Sequence, residues 1–221
     1  MLSFFSQIDW LQIGNAVLDT LAMLGGALFF TVLLGLPIGI GLFLTERNQL
    51  LQQAWVYSVL SFVINILRSV PFIILLIVLM PVTTWITGTS LGVRGVIPPL
   101  VVGTTAFFAR LVETALREVD RGVTEASLAM GASIGQIVLR ALLPEALPGI
   151  IAAITVTSIV LVDYTAMSGA IGGGGIGDLA IRYGYNRFQI DVMVVTVILL
   201  IVLVQVLQAS GNRLVVHCTR K

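Results

Sequence analysis

Residues 20–45 and 192–212 run for 26 and 21 positions without a single Asp, Glu, Lys or Arg. An α-helix rises about 1.5 Å per residue, so about 20 residues cross a hydrocarbon layer of about 30 Å. Each run is long enough to span a bilayer, and a chain holding two of them cannot fold as an ordinary water-soluble domain. Composition agrees: 57% of residues are hydrophobic and 10% charged, against about 25% charged in soluble domains, and the mean hydropathy is +1.05. Twelve basic residues nearly balance eleven acidic ones, for a net charge of +1. No basic field exists to hold nucleic acid, so a nucleic-acid partner is not expected.

Three weaker apolar segments lie between these runs. Residues 54–80 contain Asn65 and Arg68, residues 95–112 end beside Arg110, and residues 146–163 close on Asp163. Five spans, near 20–45, 54–80, 95–112, 146–163 and 192–212, predict an all-α polytopic membrane helix bundle occupying residues 1–221 as one domain. The segment 54–80 could also be two helices, because Pro71 follows the polar step Asn65-Ile66-Leu67-Arg68-Ser69. The chain ends favour one span. No Lys or Arg precedes Arg47, whereas Arg213, Arg220 and Lys221 follow the last run. By the positive-inside rule the N-terminus is outside and the C-terminus cytoplasmic, which requires an odd number of crossings. No basic stretch precedes the first apolar run, so a removable leader is not expected.

Single residues exclude several chemistries. The one Cys (Cys218) and one His (His217) lie in the tail, and the only lysine is Lys221. Neither a Cys/His zinc cluster nor a phosphate-binding G-x-x-x-x-G-K-[ST] loop can be built from this set. No catalytic residue, metal site or cofactor is expected, and any use of ATP would fall to a partner.

The interval 110–145 carries nine of the 23 charges. Within it, 124–130 reads as a short helix stopped by Gly131, a residue suited to the left-handed turn at helix ends. Ser133-Ile134-Gly135-Gln136 is a capping-box pattern that starts a second helix, with Pro144 marking its far end. One reading is a pair of amphipathic helices lying on the lipid surface. The spacing offers another. Glu125-Ala126-Ser127, three residues, Gly131, nine residues, Ala141, one residue and Leu143-Pro144 resemble the E-A-A-x3-G-x9-I-x-L-P loop of bacterial ABC importer permeases. Ser127 and Ala141 depart from that pattern.

The resemblance implies a cytoplasmic coupling loop over 113–145, with Glu125, Ala126, Ser127, Met130 and Gly131 facing a cleft on an ATPase subunit. Ala126, Ser127 and Ala129 are small enough for close approach, and Glu125 suits the N-terminal end of a helix dipole. Residues 65–88, 143–149 and 164–193 are similar to the methionine-importing members of these permeases. That likeness implies a homodimer with two ATP-binding cassette ATPase subunits and an extracytoplasmic substrate-binding lipoprotein, in a bacterial inner membrane. Five spans are also few to enclose a pathway, which points to a homodimer independently.

Three residues are candidates for a gate or pathway. Arg68 is costly at mid-bilayer and should face protein or water, or pair with a carboxylate. Met167 precedes the run Gly172-Gly173-Gly174-Gly175, which must turn the chain and is expected to form a flexible outer loop. Asp163 replaces the small uncharged residue that the resemblance leads one to expect. Gly35 and Gly39 form a G-x-x-x-G pattern suited to close helix contact. The alternatives to a methionine importer are an osmoprotectant permease for betaine or choline, and a passive channel built on the glycine run.

Overall fold

The computed structural model describes residues 9–219, all of whose regular elements are helical. Arg220 and Lys221, used above to orient the chain, lie outside the described residues. In chain order the elements are α1 (Trp10–Thr45), α2 (Ala54–Ser69), α3 (Phe72–Thr87), α4 (Gly92–Arg117), α5 (Arg121–Ala129) and α6 (Ile134–Ile137). A π-helical turn, Val138–Leu142, leads into α7 (Leu143–Ser168), which ends in the 3-10 turn Gly169–Ile171. Then come α8 (Gly175–Leu179), a second π-helical turn Ala180–Tyr185, and α9 (Ile190–Thr219).

Among the described residues four helical stretches are long and apolar enough to cross a membrane: Trp10–Thr45, Gly92–Arg117, Ile134–Ile171 and Ile190–Thr219. The pair α2 and α3 makes a fifth only if taken together, and it is bent by 107° at its break. Pro71 is the cause. It sits just before α3 with φ −55° and ψ 134°, and a residue preceding proline, here Val70, is driven out of helical geometry. The polar step at 65–69 therefore ends a helix rather than kinking one.

Pro144 does not close the second loop helix, contrary to expectation. Helix α6 passes through the π-turn, where the Leu143 N–H bonds to the Val138 carbonyl, and continues as α7 with Pro144 in its first turn. The widened turn takes up the missing proline N–H and makes room for the ring.

The described chain divides into two compact units. The first comprises 9–30, 70–104 and 158–208, and its core gathers Met23, Leu76, Val96, Leu100 and Leu161. Phe72 stacks on Tyr164 with ring centroids 4.1 Å apart. Within the glycine run Gly173 and Gly175 are packed tightly, whereas Gly172 is exposed. Gly172, Gly174 and Gly175 take φ near +80°, open to glycine at little cost. A Cβ on Gly175 would stand 2.6 Å from the Thr20 hydroxyl oxygen, and one on Gly177 would overlap the Ala166 backbone. That Thr20 hydroxyl accepts from the Ile176 N–H at 2.9 Å and donates to the Ala16 carbonyl at 3.0 Å, pinning the turn to α1.

The second unit comprises 31–69, 105–157 and 209–219. Its core contains Phe43, Phe108, Val112, Leu116, Ile137 and Leu142. The G-x-x-x-G pattern is used within the chain: a Cβ on Gly35 would approach the Phe108 ring to 2.7 Å, and one on Gly39 the Ala109 carbonyl to 2.6 Å. Both glycines let α1 lie against α4.

Candidate functional site

The elbow between α5 and α6 is built from local hydrogen bonds. Asp120 caps α5 by accepting from the Gly122 N–H at 2.6 Å, so the helix begins at Arg121, three residues before the expected 124. At its other end the Ala132 N–H bonds to the Ser127 carbonyl at 3.1 Å and the Gly131 N–H to the Leu128 carbonyl at 2.9 Å. With Gly131 at φ +75°, these are the paired bonds of a Schellman motif. Two residues later the capping box is complete. The Ser133 N–H donates to the Gln136 side chain at 2.9 Å, and the Gln136 N–H donates to the Ser133 hydroxyl at 3.4 Å.

The elbow's predicted residues fall into two groups. Ser127 is buried and its hydroxyl donates to the Val123 carbonyl at 2.7 Å within α5, so it lies on the packed side of that helix. Glu125, Ala126, Met130 and Gly131 are exposed. Met130 is 79% exposed, and Leu128, Ile134 and Leu139 also present large apolar side chains. An apolar group of this kind, on short helices rimmed by charge, is a surface suited to a protein partner.

Beside the elbow lies a cavity of about 660 Å³ whose lining includes Glu46, Arg47, Arg117, Arg121, Thr124 and Glu125. Behind its wall stands a charged cluster that sequence reading missed. Glu113 on α4 is fully buried. Its carboxylate accepts from Arg110 at 2.6 Å, from Arg117 at 2.6 Å and from the Tyr57 hydroxyl at 3.2 Å. Arg110 also donates to the Ser61 hydroxyl at 2.8 Å and to the Asn65 side-chain oxygen at 3.1 Å. Arg117 donates to Glu46 at 2.9 Å and to the Tyr57 hydroxyl at 3.1 Å.

A buried carboxylate is tolerated when its lone pairs are met by charged donors, and here two guanidiniums and a phenol meet them. The cluster ties α4 to α2 and to the turn after α1. Its signal was present in the sequence: Arg110, Glu113 and Arg117 are spaced three and four apart, which stacks them on one helix face. The lining of the cavity thus combines the Glu46–Arg117 pair with the further charges Arg47, Arg121 and Glu125 and with apolar side chains such as Phe43, Leu128 and Leu142. Among the described residues no three of His, Cys, Asp and Glu stand together as a metal site would need.

The gate candidates lie apart from the elbow in sequence. Arg68 is exposed in the last turn of α2, its guanidinium 5.8 Å from the centroid of the Phe107 ring, a cation–π contact in place of a carboxylate partner. Met167 is 47% exposed and Asp163 is exposed, both on α7. Within the glycine run Gly173 and Gly175 are buried, Gly174 is half-buried and Gly172 is exposed.

Comparison with known proteins agrees with the geometry. The chain is 44% identical to a probable D-methionine transport system permease protein MetI of Vibrio cholerae, over 97% of each chain. It is 43% identical to the methionine import system permease protein MetP of Bacillus subtilis, over 95% of this chain and 94% of the relative. Its fold superimposes on a chain of the MetNI methionine ABC transporter, solved in inward-facing conformations, with a TM-score of 0.93 and 45% identity, covering 95% of this chain and 97% of the other. Residues 35–220 match the family described as binding-protein-dependent transport system inner membrane component. The chain therefore belongs to the binding-protein-dependent transport system inner membrane component family.

Proposed function

We propose that this chain is the membrane-spanning permease subunit of an ATP-driven importer that moves methionine, including its D form, or closely related amino acids by alternating access. The observation that carries the reading is the elbow of α5 and α6: a rigidly capped pair of short helices with an exposed apolar surface at Leu128, Met130 and Ile134. It occupies the sequence position of the coupling loop, and relatives at 43 to 44% identity are named as methionine permeases.

In this reading residues 1–221 form one permease domain, with 113–145 as the cytoplasmic coupling loop and spans near 20–45, 54–80, 95–112, 146–163 and 192–212. The N-terminus is outside and the C-terminus cytoplasmic. Glu125, Ala126, Met130 and Gly131 meet the ATPase, and Ser127 lies on the packed side of α5. Two copies of the chain assemble with two ATPase subunits, which hydrolyse the ATP, and a substrate-binding lipoprotein delivers the amino acid from outside. Closure of the ATPases moves the elbow, and the buried Glu113 cluster passes that movement to α1, α2 and α4. Arg68, Asp163 and Met167 border the route through the membrane.

The test is uptake of labelled methionine into proteoliposomes holding this chain with its ATPase and its binding protein. Uptake is expected only with ATP. Uptake at the same rate without ATP would identify a passive channel, and ATP-driven uptake of betaine or choline in place of methionine would identify an osmoprotectant permease.

A further inference from the structure

Asp163 is an acid on an otherwise apolar helix face. Its neighbours one turn either way and two turns on, Val160, Met167 and Ala170, share its side of α7 by their spacing of three, four and seven residues. The opposite side, with Leu161, Thr165 and Ser168, is buried in the first unit. An ionised side chain directed at lipid is costly even toward the end of a spanning helix, where Asp163 closes the span 146–163, though less so than at mid-bilayer. Such residues accordingly face water or a partner charge. Among the described residues Asp163 has neither an ion-pair partner nor a hydrogen bond to its carboxylate. The nearby acid Asp178 differs, being paired with Arg182.

A carboxylate with no cation of its own, one helical turn from a half-exposed thioether, matches a particular ligand. The acid attracts an ammonium group and repels a carboxylate. Met167, about 6 Å further along the axis, offers a soft apolar contact. We propose that Asp163 binds the ammonium group of the transported substrate, with Met167 receiving its apolar side chain, so that the permease itself selects for an amine. This inference rests on the importer reading above and adds a specificity-determining residue to it.

The experiment uses the assembled complex of this chain and its ATPase in lipid nanodiscs, without the binding protein, so that selection by that protein plays no part. ATP hydrolysis is titrated with methylthiopropylamine, which keeps the amine of methionine and lacks its carboxylate, and with methylthiopropionate, which does the reverse. The amine should alter the rate at a concentration about tenfold lower than the propionate, the size of one charge-assisted contact. Asp163→Asn should abolish that preference and Asp163→Glu should keep it.

Equal effects of the two compounds on the wild type, no effect of either, or a preference surviving in Asp163→Asn would overturn the proposal. If the Asn variant does not assemble, the wild-type comparison and Asp163→Glu decide alone. Methionine uptake by the wild type, measured alongside, separates the two readings. Uptake without amine preference defeats only this inference, whereas amine preference without uptake leaves Asp163 an amine site but defeats the importer reading and with it the role in substrate selection.

Discussion

In residues 31–69, 105–157 and 209–219, α4 is joined to α2 and to the turn after α1 through one buried carboxylate, Glu113, its donors Arg110, Arg117 and Tyr57, and the pair of Arg117 with Glu46. In residues 9–30, 70–104 and 158–208 the comparable tie is steric: backbone closes on backbone where a glycine omits its side chain, as at Gly169 and Gly177. Contacts of that kind tolerate no added atom, and the second unit has them too, at Gly35 and Gly39; what it adds is a set of directed charge pairs, with two arginines on one carboxylate. A region that must transmit movement is better served by the second device, and it is the unit that carries the elbow.

The largest effect should come from filling the steric side. Gly177→Leu would drive a side chain into the Ala166 backbone and should cost about 3 kcal/mol or more, seen as loss of a monodisperse complex in detergent. A folded variant within about 1 kcal/mol of wild type would break the contrast. Glu113→Ala leaves Arg110 and Arg117 without their shared acceptor. Removing one partner of a buried pair costs about 3 to 5 kcal/mol, and the partial exposure of both arginines puts this case at about 3 or below, measurable as a lowered thermal midpoint. Glu113→Gln, which keeps an acceptor, should lose less.

Smaller changes sharpen the comparison. Asp120→Ala removes the cap of α5 and should cost about 1 kcal/mol, with faster amide exchange at Gly122 confined to that helix. Glu46→Gln breaks only the half-exposed pair with Arg117. Its effect should be about 0.5 kcal/mol, reduced further by salt. A loss as large as that of Glu113→Ala would mean that Glu46, and not Glu113, organises the cluster.

What could be read from the sequence was what depends on neighbours. Gly131, Ser133 and Gln136 announce the elbow because caps are satisfied within a few residues. The uncharged runs announce spanning helices because a bilayer sets their length. Features fixed by distant partners were hidden. Glu113 gains its meaning from Tyr57 and from an Arg117 that also holds Glu46, and no local pattern names those partners. Gly35 and Gly39 promised a close contact, but only the fold shows that α4 supplies it. Pro144 misled because a proline that ends most helices is absorbed here by the π-turn before it. Pro71 was legible as a break within 54–80, where two helices meet at 107° and make a fifth span only if taken together; the angle itself was not legible.

The central claim is that the capped elbow couples ATP hydrolysis to transport. Its most direct test is ATP-driven methionine uptake by the reconstituted complex carrying Gly131→Pro, with membrane insertion checked in parallel. Proline cannot adopt the φ of +75° found there and lacks the N–H that closes the turn. The account predicts an inserted permease with coupled uptake abolished, and Glu125→Lys should act in the same direction. Undiminished uptake in both variants would contradict it.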